Sequence, residues 1–298
     1  MKKAGFLLFL LYAVTLFAQK DTLTKKDTLT KKDALIKKDT LIKSSWNMSS
    51  VEGINASQVA LSNWAQGGAN SIAWTFSGTF VADLKKDTVV IFKNNLKLTY
   101  GQTKLGSADF RTNENELFVE NKYSYNLNWK VNPFLSNSLR TVIANGYDYT
   151  KTPKAATSKF FDPGYLTQSL GFEFNREKVF SIRIGVALQE VFTNRFTSYT
   201  DDASTTKVEK FKLDSGIESV MGGCWPIEEN MDVDSKLRLF SRFKTLDVWD
   251  VRWENTLTAK INKLFNANIN VIVVYEKDQS DRTQMKQALQ LGITYALI

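Results

Sequence analysis

The stretch that decides the fold is WDVRWENTLTAKI, residues 249–261. Trp249, Val251, Trp253, Leu257, Ala259 and Ile261 hold odd positions, and Asp250, Arg252, Glu254, Thr256, Thr258 and Lys260 hold even ones. Successive side chains of an extended strand point to opposite faces, so this run has one apolar face and one charged face. The same period returns elsewhere. Ile72, Trp74, Phe76, Gly78, Phe80, Ala82 and Leu84 alternate with Ser71, Ala73, Thr75, Ser77, Thr79 and Asp83. Leu117, Val119, Tyr123, Tyr125, Leu127 and Trp129 oppose Glu120, Lys122, Ser124, Asn126, Asn128 and Lys130. Leu289, Leu291, Ile293, Tyr295 and Leu297 close the chain against Gln290, Gly292 and Thr294. Runs of this length exceed the soluble-sheet norm of about 5–6 residues. They suit tilted membrane strands, which need about 9–11 residues to cross the apolar slab.

The expected fold is therefore all-β, an antiparallel up-and-down transmembrane β-barrel of about twelve strands. The strands are expected near residues 53–62, 71–84, 89–102, 114–130, 135–149, 165–175, 179–193, 208–220, 230–243, 248–261, 267–277 and 287–298. Ten strands, or a soluble β-barrel or sandwich with its apolar faces inward, are the alternatives. The expected links divide into a short set (85–88, 131–134, 176–178, 262–266) and a longer set (103–113, 150–164, 194–207, 278–286). That asymmetry is typical of outer-membrane barrels. Two links break it: the short 244–247, and 221–229, which holds the turn signal Gly222-Gly223-Cys224-Trp225-Pro226. Trp74, Trp129, Trp249 and Trp253, with Tyr100, Tyr123, Tyr275 and Tyr295, fall mostly on apolar faces near strand ends, as interfacial girdles require.

If the charged faces point inward, Asp232, Asp234, Lys236, Arg238, Asp250, Arg252 and Glu254 line the lumen on adjacent strands. Lys210, Lys212, Asp214, Glu218, Arg242 and Lys260 extend that wall, while Ser71 to Thr79 supply small hydroxyls and Ala opposite it. Arg238 and Arg252 then face the lumen, and Leu237, Leu239, Val251 and Trp253 face lipid. Long side chains of both signs either pair across the interior or line a narrow aqueous path. At about twelve strands, the lumen lies between side-chain-filled and open-channel sizes, and the closed or narrow state is the expected one.

Lys2 and Lys3 precede an apolar run from Ala4 to Ala18, followed by Gln19-Lys20. Residues 1–18 thus read as a secretory signal peptide. Residues 19–45 follow as a linker built on a six-residue Lys-Lys-Asp-Thr-Leu repeat, whose period matches neither helix nor core strand; disorder is the expectation. A cationic tether to an acidic surface is the functional alternative. Residues 46–298 form the barrel domain. Of the net charge of +8, Lys2 and Lys3 supply two and residues 20–43 supply four, leaving +2 for the rest. The barrel is almost neutral, so no nucleic-acid partner is expected.

Histidine is absent, which removes His-dependent triads and His-based zinc sites. Cys224 is the only cysteine, so no intramolecular disulfide forms, and no activating partner for the thiol is recognisable. Asp201-Asp202, Glu228-Glu229 and the pair Asp232 and Asp234 could hold calcium or do acid–base work. Each falls in an expected loop or on a polar strand face, where solvation or ion pairing is the ordinary explanation. No catalytic residue, metal or cofactor is expected, and the chain reads as a non-enzyme.

The segment Leu61-Ser62-Asn63-Trp64-Ala65-Gln66-Gly67-Gly68-Ala69-Asn70-Ser71, with the alternating strand after it, resembles the Asn-Trp-x-x-Gly-Gly opening of domain of unknown function 3078, a family of Bacteroidota. The resemblance covers Trp46 to Ile298 and implies an outer-membrane barrel; the family carries no assigned activity to transfer. Gly67 and Gly68 permit a tight reversal and Trp64 anchors it, so Asn63, Trp64, Gly67 and Gly68 are read as a structural turn. The expected localisation is the outer membrane, with its lipid as partner. The expected role is structural or surface interaction; a conduit for small solutes or hydrophobic compounds is the alternative, and a membrane enzyme a distant third.

Overall fold

The computed structural model describes residues 45–298 apart from 63–67, 87–89, 177–178, 203, 278–279 and 297–298. The expected signal peptide, residues 1–18, and the repeats of the expected linker lie outside the described residues. The strands are β1 Ser45–Val59, β2 Ser71–Lys86, β3 Val90–Leu105, β4 Arg111–Tyr125, β5 Asn132–Thr141, β6 Gly146–Asp148, β7 Ala155–Ser158, β8 Gly164–Arg176, β9 Phe180–Phe192, β10 Phe211–Glu228, β11 Met231–Arg242, β12 Trp249–Lys260, β13 Phe265–Tyr275 and β14 Gln284–Ala296. Each barrel strand pairs antiparallel with its sequence neighbours, β5 pairs with β8, and β14 pairs with β1 to close a ring of twelve. β6 and β7 form a separate hairpin in the β5–β8 link.

The faces divide as the alternation requires. Ile184, Val186 and Leu289 on the outer wall are 54%, 54% and 69% exposed, whereas inward Phe240 is 0% exposed. A barrel with apolar residues outside and ion pairs inside excludes the soluble alternative, which needs the reverse. Aromatic contacts mark both ends of the outer wall. Trp46, Phe92 and Tyr123 touch in series near the short-link rim, and Trp74 meets Tyr100 toward the other.

Links at one rim are short: 87–89, 126–131, 177–179, 229–230 and 261–264. Those at the other, 60–70, 106–110, 142–163, 193–210, 243–248 and 276–283, include both long excursions.

Several expected boundaries move for identifiable reasons. β1 begins at Ser45 rather than near residue 53, paired with β2 along its whole length. β4 stops at Tyr125, because Asn132 accepts the Leu127 N–H and Asn126 accepts the Asn128 N–H, while Asn128 takes a positive φ of 59°. Leu127 and Trp129 therefore alternate beyond the strand end. β5 stops at Thr141, because Asn115 Oδ1 accepts the N–H groups of Ile143 and Ala144 and diverts the chain.

The expected link 221–229 is mostly strand: β10 continues to Glu228, with Cys224 opposite Asp234 and Pro226 opposite Asp232. A Cβ on Gly223 would stand 2.7 Å from the Trp225 ring, so this glycine serves close packing, not a turn. Pro226 is tolerated because β9 pairing ends at Gly222, leaving the strand a neighbour on one side only.

Val251 lies two positions from the start of β12, near the long-link rim, whereas Leu237 occupies the middle of β11. Leu237→Arg should therefore cost about 2–4 kcal/mol, and Val251→Arg about 0–1 kcal/mol, in unfolding from lipid vesicles. Equal costs at the two sites would contradict the placement.

Candidate functional site

Of the residues expected to line the lumen, Lys236, Arg238, Arg252 and Glu254 enter a network in the barrel interior. β4 and β12 stand diametrically opposite in the ring. Arg252 on β12 donates through Nη2 to Glu116 on β4 at 2.9 Å and through Nε to Glu254 at 2.5 Å. Arg140 from β5 joins the same carboxylates, at 3.1 Å to Glu116 and 3.8 Å to Glu254. Lys97 from β3 completes the group, 3.5 Å from Glu254 and 4.0 Å from Glu116. Two carboxylates and three cations from four strands thus meet inside the barrel.

A second group lies toward the short-link rim. Glu120 on β4 accepts a hydrogen bond from Arg183 on β9 and lies 3.8 Å from Lys236 on β11. Lys122 pairs with Glu173. The inward ring of Phe118 lies between the two groups, with the Arg140 guanidinium 5.2 Å and the Lys236 ammonium 5.0 Å from its centroid. Each cation is attracted to the ring face, and the ring fills space that water would otherwise occupy.

Arg238 extends the network, donating to Glu218 at 2.7 Å and to Gln189 at 2.9 Å, while Ser169 donates to the same Glu218. Toward the long-link rim, Arg242 bridges Asp214 and Asp250, each at 2.9 Å, with Phe240 beneath both Arg238 and Arg242. Asp232 pairs with Lys260 at 2.6 Å near the short-link rim. Asp234 lines the cavity there and belongs to neither interior group.

A cavity of about 440 Å³ lies on the long-link side of these groups. A second, of about 530 Å³, shares Arg140, Tyr165, Arg252 and Lys286 with it and runs along β1, β2, β13 and β14 past the first group, from Lys286 to Asn268 and Thr294. On the short-link side is one of about 440 Å³, lined by Asp83, Lys93, Glu173 and Asp234. Glu120, Arg183 and Lys236 border cavities on both sides. Thr75, Ser77 and Thr79 line the wall of small hydroxyls.

The expected lumen set omitted Lys97, Glu116, Arg140 and Arg183. They alternate as regularly as the others; what the sequence lacks is the register that sets β4 across from β12.

The long-link rim is tied together by groups that alternation does not flag. Asp162 accepts the N–H groups of Asn194 at 2.7 Å and Arg195 at 2.8 Å, joining the two longest links. Phe161, Phe192 and Phe211 stack in series beneath. In the 193–210 link, hydrogen bonds from Ser204 to Asp202, and from Thr205 to Glu209, hold both carboxyls below their ordinary range. Among the described residues, no group of three or more acidic or cysteine side chains is arranged to hold a metal ion.

Gly68 has a positive φ of 124°, and a Cβ there would meet Leu61 at 2.8 Å, so the position requires glycine. Asn63, Trp64 and Gly67 lie outside the described residues. Residues 56–147 match the model of a family of proteins of unknown function, DUF3078. The match carries the resemblance from β1 to β6, a shorter span than the sequence resemblance implied. No match was found among curated proteins.

Solved structures of similar shape include the translocator domain of the autotransporter NalP from Neisseria meningitidis, at 7% identity and TM-score 0.35, covering 83% of this chain and 86% of that one. A second is the COG4313 outer membrane channel from Pseudomonas putida F1, at 8% identity and TM-score 0.38, covering 84% and 93%. A third is the toluene transporter TodX of Pseudomonas putida, at 6% identity and TM-score 0.29, covering 84% and 88%.

Removing one member of a buried ion pair leaves the other uncompensated, at a cost of about 3–5 kcal/mol. Glu120→Gln, which strips Arg183 and Lys236 of their shared carboxylate, should lower unfolding stability in lipid vesicles by that amount. A loss under about 1 kcal/mol, the exposed-pair value, would show a water-filled interior.

Proposed function

We propose that the chain is an outer-membrane barrel with a closed lumen that acts at the surface through its long-link rim. The single observation that carries this reading is the pairing of charges across the interior: Arg252 to Glu116, Lys97 to Glu254 and Arg183 to Glu120. An open pore would leave those side chains against their own walls, solvated. The rim supports the second half of the reading. Asp162 and the phenylalanine stack give the two longest links a shared, fixed shape, and Arg111 lies 5.4 Å from the Tyr149 ring in the β6–β7 excursion. Catalysis has no part in this reading, and lipid is the partner of the outer wall.

A second reading, a conduit for small solutes or hydrophobic compounds, is favoured by the cavities on both sides of the charged groups and by the one that runs past the first of them beside β1 and β2. It requires Arg140, Phe118 and Lys236 to part.

Single-channel recording in planar bilayers separates the two. The refolded protein should give a silent baseline, and Phe118→Ala combined with Arg140→Ala should give sustained steps. Steps from the unaltered protein would favour the conduit.

A further inference from the structure

The cavity beside β1 and β2, of about 530 Å³, has the size of a small-molecule site, for which about 300–1,000 Å³ is usual. Its two sides differ in chemistry. On one, Lys97, Arg140 and Arg252 each lie within 4.0 Å of Glu116. At the long-link end Lys286 donates to Glu114 at 2.7 Å. Each of these charges already has its counter-ion. Beyond Lys286, the polar groups that β1, β2, β13 and β14 turn toward the cavity are hydroxyls and carboxamides.

Part of that neutral side is spent on itself. Gln290 donates to Thr75 at 3.2 Å, and Asn268 donates to Asn55 at 3.2 Å. What is left over is donor capacity. Thr75 is 3% exposed and Asn55 9%, and both line the cavity. Yet among the described residues neither the Thr75 hydroxyl nor the Asn55 carboxamide donates to an acceptor. Ser77 and Thr79, half-buried on the same wall, make no side-chain hydrogen bond among the described residues. Buried donors are ordinarily satisfied, so the acceptor here comes from whatever fills the cavity.

These groups define the occupant. It accepts from Thr75 and Asn55, and it exchanges hydrogen bonds in both directions with Ser77 and Thr79. It carries no charge, because an ion would have to pull one of the pairs apart. Hydroxyl groups both donate and accept, and a sugar carries several on a neutral frame. Tyr165, which borders this cavity and the one on the long-link side, adds an aromatic face for the C–H side of a sugar ring.

We propose that this cavity is a binding site for an uncharged mono- or disaccharide, entered from the long-link rim. The cavity extends there to Lys286, the third residue of β14, and to Pro163 in the β5–β8 link. At its other end the seam residues Asn55, Asn266, Asn268 and Thr294 are joined by hydrogen bonds. The site needs no passage through the barrel, so it stands whether the lumen is shut or conducts.

The test uses the full chain, refolded in a zwitterionic detergent that has no sugar headgroup. Glucose, galactose, mannose, N-acetylglucosamine, maltose and cellobiose are titrated in turn by calorimetry. At least one should bind saturably, and more tightly than glucuronate or glucosamine. Thr75→Val, which keeps the side-chain shape and removes the donor, should weaken that sugar about tenfold. Ser77→Trp, which fills the cavity, should abolish its binding, and Leu289→Ala on the outer wall should leave it unchanged. Heat-modifiable migration shows that each variant is folded. The site is overturned if folded protein binds none of the six sugars, if Ser77→Trp binds as well as the unaltered chain, or if glucuronate or glucosamine binds more tightly.

Discussion

Closure of the sheet on itself is the constraint from which the rest of the structure follows. A strand edge in hydrocarbon has no water to satisfy its N–H and C=O groups, so the ring must complete every ladder. The seam is formed by β1 and β14, from Val51 opposite Ala296 to Ala56 opposite Leu291. It is held from inside as well. Asn266 donates to Thr294 at 2.6 Å, and Asn268 donates to Asn55 at 3.2 Å and to Asn266 at 2.6 Å. Gly292 lies between Asn55 and Asn266, where an added Cβ would stand 2.8 Å from Asn266 Oδ1. The seam closes because a glycine leaves room for the amides that lock it.

Closure also decides where the charges go. With the outer wall apolar, the alternate residues must share a narrow interior, too wide to fill with aliphatic side chains alone. Arginine, lysine and glutamate are long enough to cross it. Half-buried beside the cavities, they pair with one another, and partial desolvation makes such pairs poor net sources of stability. Their effect here is geometric: paired through Glu116, Glu120 and Glu254, they join β3, β4, β5, β9, β11 and β12 across the lumen. Phe118 and Phe240 brace them by offering ring faces to four cations.

The alternation in the sequence made the strand faces legible, because period two is local and survives any error in strand ends. Arg252 and Val251 could be assigned opposite sides without knowing a neighbour. Boundaries were less legible where polar side chains capture the backbone. Asn115 ends β5, and Asn126 with Asn132 ends β4, through contacts that hydropathy does not register. The glycines at 222 and 223 read as a turn because composition cannot distinguish a reversal from close packing, of Gly223 under Trp225 and of Gly222 against Ser235 and Lys236 of β11. The site was half legible. Charges on β11 and β12 stood out as neighbours, but their partners on β3, β4, β5 and β9 are remote in sequence. Only register and closure bring Glu116 to Arg252, 136 residues away.

The apolar wall faces outward, and the central proposal is that paired side chains shut the lumen. Cysteine accessibility along β13 tests both halves at once. Ile272 and Val274 line the cavity on the long-link side, and Val271 and Val273 alternate with them on the outer wall. Each is replaced singly by cysteine in a Cys224→Ser chain, and a small charged thiol reagent is added from one side of sealed vesicles at a time. The account predicts that positions 272 and 274 react only from the long-link side, and that positions 271 and 273 react from neither. Reaction of 272 and 274 from both sides would contradict a closed lumen, and reaction at 271 and 273 would contradict a lipid-facing wall.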